Sequence, residues 1–186
     1  RGIHIVGSEH NTIQGNFIGT NSDGSAGLPN TADGVFMEDS PHNTLASNTI
    51  SANGMNGVLI EGTGSFGNVL SGNRIGTNVN GEYALGNSQN GVRLTGGASD
   101  NRIQNNLVSG NTQSGVLIGD PNTTTNRLYG NYIGTDREGM IRLANHDGIV
   151  ISQASGNWIG GANPGEGNLI SGSARFAIES SSQSGN

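Results

Sequence analysis

The chain has no cysteine and no lysine, and only 12% of its 186 residues are charged. Without cysteine there is no disulfide framework, and thiol usage says nothing of the redox compartment. Without lysine, all eight basic residues are arginines against 14 acids, giving a net charge of −6. A nucleic-acid groove needs clustered positive charge, so the composition argues against that partner. Aromatic residues make up 4% and apolar residues 31%, too little to fill the thick core of an ordinary globule. No apolar run approaches the roughly 18 residues of a membrane span, and no signal peptide is recognisable.

What is abundant is glycine, with 33 residues, and asparagine, with 26. Such a chain is either disordered or a thin repetitive solenoid. Regularly placed Val, Ile and Leu decide for the solenoid, because disordered segments lack such a pattern. Three short words recur in order. The first is Gly-apolar-x-apolar, at Gly2, Gly34, Gly57, Gly91, Gly115 and Gly148, with a degenerate copy, "RFAI", from Arg175. The second and third are both Asn-x-apolar. The second begins at Asn11, Asn43, Asn68, Asn101, Asn126 and Asn157, and the third at Asn16, Asn48, Asn73, Asn106, Asn131 and Asn168. The leading glycines are spaced 32, 23, 34, 24 and 33, so long and short units alternate.

Each word reads as a short strand with alternating faces. Three strands joined by sharp turns make one coil, and each word pairs in parallel with its copy in the next coil. Parallel crossovers are right-handed in nearly all cases. The expected fold is therefore all-β: a right-handed parallel β-helix of six to seven coils, occupying residues 1–186 as one domain. Inward columns such as Val35, Val58, Val92 and Val116 supply the core. The two asparagine columns are expected to be structural. Asparagine tolerates a left-handed corner, and stacked amides form a hydrogen-bonded ladder.

The long units carry a shared phrase, "IGTN..G...LGN" in its fullest copy, with turns "NSDG" at Asn21, "NVNG" at Asn78 and "DREG" at Asp136. These read as hairpin turns closed by a glycine, with Leu28, Leu85 and Leu143 pinning each hairpin to its coil. Their oxygens also resemble part of a calcium loop, with Asn21, Asp23, Asp136 and Glu138 as the candidate ligands. No other cofactor is expected.

These words resemble the right-handed parallel β-helix repeat superfamily with the pectate-lyase-like fold. More narrowly, "NVLSGN", "NGVRL" and the shared phrase resemble repeats of large secreted or surface-anchored microbial proteins. The resemblance covers nearly the whole chain and implies a secreted or cell-surface location. It extends to polysaccharide lyases, hydrolases, epimerases, phage tailspike shafts and non-catalytic stalks alike. Neither end shows a cap, so the chain is expected to be a segment of a longer solenoid, with flanking repeats or domains as partners.

The outward strand positions carry no carboxylate. One acidic pair, Glu38 and Glu61, follows the first word in adjacent coils, with Asp39 alongside, and would carry any glycosidase-like chemistry. "MEDSPH" resembles the "DPH" word of alginate epimerases, but the inserted Ser40 breaks the match. For a glycan contact, Trp158, Tyr132, Tyr129, Arg127 and Arg102 form an aromatic and basic flank on neighbouring outward columns. The resulting expectation is a non-catalytic scaffold or adhesive stalk with glycans as ligands; the alternative is a carbohydrate-active enzyme or a tailspike shaft.

Overall fold

The computed structural model describes residues 1–182 of the chain. It is a right-handed parallel β-helix without α-helix among the described residues. Sheet 1 has seven strands, from Ile3–Val6 to Ile178–Ser181, and contains the first words. Sheets 2 and 3 have six strands each and contain the second and third words. Every pairing is parallel and in register, for example Val35 with Val58 and Leu45 with Leu70.

The core is a set of vertical columns. Val35, Val58, Val92, Val116 and Ile149 are fully buried, as are Leu45, Leu70, Ile103 and Leu128. A second inward column in sheet 1, containing Met37, Ile60, Leu94 and Ile118, thickens it. Full burial of such a side chain is worth about 1.5–3 kcal/mol, but only the coils on either side provide it. The leading glycine has a packing reason. A Cβ on Gly34 would lie 2.7 Å from the Gly57 carbonyl, the Ile50 methyl and the Asn53 amide at once.

The amide ladders are more fully bonded than stacking alone requires. The Asn73 Oδ1 accepts from both the backbone N–H and Nδ2 of Asn48, each at 3.0 Å. Asn73 in turn donates its N–H and Nδ2 to Asn106 Oδ1, both at 2.9 Å, and its Nδ2 also reaches the Leu45 carbonyl. Both lone pairs and both amide hydrogens are used. The ladder asparagines do not themselves take the left-handed conformation. In the second-word column the residue before each does: His10, His42, Gly67, Asp100, Thr125 and Gly156 all have φ between 51° and 67°. The corner turns one residue earlier than expected, which leaves the asparagine extended enough to reach along the axis.

Two further corrections concern the copies at the edges. The last first-word copy begins at Ala177, because Ile149 pairs with Ile178 and Val150 with Glu179; "RFAI" from Arg175 is two residues early. An apolar residue is thereby kept over the Ile149 column. Leu28 is exposed and does not pin its hairpin. The pinning is done by backbone bonds, Leu28 N–H to Gly19 and Leu85 N–H to Gly76, and by the first turn residue, as Asn21, Asn78 and Asp136 each accept two backbone N–H groups.

The hairpins account for the alternation of coil length. Val79 N–H bonds to Gly24 O and Arg137 N–H to Gly81 O, each at 3.0 Å, so hairpins two coils apart touch directly. A hairpin is two strands wide, roughly the height of two coils. One in every second coil therefore builds a continuous wall, and one in every coil would have no room. The wall leans on sheet 3, where Leu107, although it points outward, is 7% exposed.

Replacing Asn73 by alanine removes four side-chain hydrogen bonds from the interior, and replacing Asn106 removes five. Each substitution is expected to destabilise the fold by about 1–3 kcal/mol, and Asn16→Ala, at the exposed first coil, by less. Thermal or urea denaturation checks this; unchanged midpoints for the two interior variants would contradict the bonding scheme.

Candidate functional site

Glu38 and Glu61 are register partners in sheet 1, as their spacing predicts. Glu38 Oε2 lies 3.4 Å from His4 Nε2. Asp39, with φ of 44°, accepts the Gly64 N–H at 3.0 Å and so holds the adjacent turn. Ser40 is buried, with its N–H on Ser65 Oγ and its Oγ on the Glu38 carbonyl. The stretch that breaks the epimerase-like word is thus a structural corner. Among the described residues, no group of three His, Cys, Asp or Glu side chains converges.

The four candidate calcium ligands sit in two different hairpins. Asp136 Oδ1 takes the Met140 and Ile141 N–H groups at 2.8 Å, and these backbone bonds hold its carboxyl below the usual range. Asp23 is lowered likewise, chiefly by the Ser25 hydroxyl and N–H. Glu138 pairs with Arg137 at 3.0 Å. These oxygens shape the turns that carry them.

The aromatic and basic flank divides at a corner. Arg102, Arg127 and Trp158 stack in register on the outside of sheet 2. The Arg127 guanidinium lies 4.9 Å from the centre of the Trp158 ring, which is half exposed. The enlarged 160–167 loop forms the other wall of a cleft of about 230 Å³ with Gly160, Gly161 and Glu166. Glu166 is held below the usual carboxylate range, chiefly by the Asn163 side chain and backbone amide. The Tyr129 hydroxyl bonds to Gln104 Oε1. Tyr132 faces away around the corner, on sheet 3, where it lines a separate cleft with Arg74 and Arg137.

Sequence reasoning missed two further columns. Asn30, Asn53, Asn87, Asn111 and Asn145 form a third amide ladder. Asp33, Asn56, Asn90 and Ser114 form a fourth, with donors pointing the opposite way along the axis. The signal was a fourth word before each leading glycine: "NTADG", "NGMNG", "NSQNG" and "NTQSG". At its shortened copy, "NHDG", Asp147 is buried and takes Arg175 Nε and Nη2 at 2.9 and 3.0 Å, with His146 Nδ1 at 3.1 Å. The Arg175 hydrogen bonds lead in lowering its carboxyl to about 2 from 3.8.

A carboxylate depressed in the folded state contributes stability that is complete above its unfolded pKa and lost as pH falls through the folded one. Asp147 therefore stabilises the chain fully above about pH 4, and its contribution disappears as pH falls through about 2. Asp147→Asn is expected to lower Tm near neutral pH and to shrink the difference from wild type below pH 3, within the roughly 2–4 window. A difference that does not change over that window would rule out the ion pair as its cause.

No curated protein and no solved structure matches the chain. A family described as "Periplasmic copper-binding protein (NosD)" matches residues 1–133, and the same coils continue unbroken to Ser181. That match spans more than half of the chain and agrees with the stacked parallel strands, so the chain belongs to the NosD family and is a β-helix of the extracytoplasmic compartment.

Proposed function

We propose that this chain is a non-catalytic scaffold of the periplasm or cell surface, a stiff spacer that makes adhesive contacts with glycans on its outer faces. The observation that supports this most is where its polar side chains go. Four columns of Asn, Asp and Ser bond coil to coil. Among the described residues only Arg93 Nε and Ser173 Oγ are buried without a partner. A polar inventory used in this way builds a rod rather than a reaction centre.

The family description raises copper, and the residues present do not fit it. Copper sites draw on imidazole, thiolate and thioether ligands. The chain has no cysteine, and of its three methionines Met37 is sealed in the core while the exposed Met55 and Met140 belong to coils far apart along the helix. His4 stacks on Phe36 and His146 bonds to Asp147. His10 and His42 are neighbours, but their rings lie parallel within 8° at 5.3 Å. Imidazole lone pairs lie in the ring plane, so stacked rings do not aim two nitrogens at one ion.

The register of Glu38 and Glu61 favours a second reading, a retaining glycosidase, whose carboxyl groups stand about 5–5.5 Å apart. Such a pair must flank the scissile bond, whereas these two rise side by side from neighbouring strands. The expected outcome is no release of reducing ends or unsaturated products from pectin, alginate or neutral glycans. Turnover abolished by Glu38→Gln or Glu61→Gln would establish the enzyme instead. For adhesion, a glycan array read with wild-type chain should show binding; an empty array would reduce the function to that of a spacer.

A further inference from the structure

We propose that the cleft between sheet 3 and the 134–143 hairpin is a binding site for a carboxylated saccharide, a hexuronic acid residue of a glycan. This rests on the glycan-contact reading above and gives it a ligand class and a place. The floor of the cleft consists of Arg74, Leu107 and Tyr132, register partners from three consecutive coils. One wall is Arg137 from the hairpin, and Gly72 and Gly130 leave the rim at the sheet 2 corner without side chains.

Two of the chain's eight arginines, Arg74 and Arg137, line this cleft. Arg1, Arg137 and Arg175 each pair with a carboxylate. Arg74 is half-buried, and among the described residues its guanidinium, like those of Arg93, Arg102 and Arg127, makes no ion pair. No carboxylate lines the cleft. Glu138 is the nearest in sequence, and it contacts Arg137 through Nε at 3.0 Å, leaving the terminal nitrogens available. Two guanidinium groups, one of them uncompensated, therefore face one small space.

The chemistry of the lining selects the ligand. A guanidinium matches a carboxylate as a planar fork with two parallel N–H donors. The Tyr132 ring, beside the largely covered Leu107, offers an apolar face for the C–H side of a sugar, and the Tyr132 hydroxyl and the Asn105 amide are at hand for its hydroxyl groups. The cleft volume of about 230 Å³ is below the roughly 300–1,000 Å³ of sites for drug-sized ligands, so it takes one ring rather than a long chain. A net charge of −6 and the absence of lysine disfavour polyphosphates and heavily sulfated chains.

The test is calorimetric titration of the 186-residue chain with a short oligogalacturonate, a neutral oligosaccharide of equal length and inorganic phosphate. Saturable binding of the oligogalacturonate alone is expected. Its affinity should fall at least about tenfold in Arg74→Ala, less in Arg74→Lys, and not at all in Trp158→Ala. Melting curves of each variant establish that the fold is retained. Unchanged affinity in Arg74→Ala, or equal binding of the neutral sugar or of phosphate, would overturn the proposal. Binding lost in Trp158→Ala but kept in Arg74→Ala would discard this cleft while leaving the glycan-contact reading in place. No saccharide binding by wild type would discard both.

Discussion

A coil of this chain is too thin to enclose anything, so each side chain depends on its counterparts one coil above and one below. That vertical register is the constraint from which the rest follows. Apolar columns need like residues at the same height, because a cavity in one coil removes contacts from two others. Polar columns need it more strictly. The amide of Asn73 reaches Asn106 and Leu45 and accepts from Asn48 only when three coils align. A slip of one residue would point the whole set at solvent and leave buried amides without partners.

The same constraint sets the outer surface. The inserted hairpins obey the repeat at twice its height, and the direct bonds from Val79 N–H to Gly24 O and from Arg137 N–H to Gly81 O tie alternate coils together. Where the wall leans on sheet 3 it covers Leu107, and where it stands clear it leaves Arg74 and Tyr132 beside a cleft. An ordinary globule brings distant residues together by packing one element on another. A solenoid can do so only along a column, across a corner, or beneath an insert, and the clefts beside Tyr132 and Trp158 use the last two routes.

Much of this was legible in the sequence because a repeat writes vertical neighbours directly into its spacing. The pairing of Glu38 with Glu61, of Arg127 with Trp158 and of Asn73 with Asn106 all follow from counting. What the period does not encode is direction. It places Trp158 on a second word and Tyr132 on a third, in neighbouring columns, but does not show that the corner at Gly130 aims them into separate clefts. It shows that Phe36 points outward, but not that His4 and Arg1 cover it. The word ending in Asn56, Asn90 and Ser114 is present in the sequence, but its varying last residue hides a column that only backbone and amide donors define.

Native-state hydrogen exchange tests most directly whether ladder bonding holds the coils together. The backbone N–H groups of Asn48, Asn73 and Asn106 donate to a side-chain oxygen of the next coil rather than to a strand partner. If the ladders are integral to the fold, these amides exchange only through global unfolding, as slowly as Val58 or Val92 in sheet 1. If they exchange at the rates of local opening while the strand amides stay protected, the coils are held by strand pairing and the apolar columns alone, and the ladders are incidental to the fold.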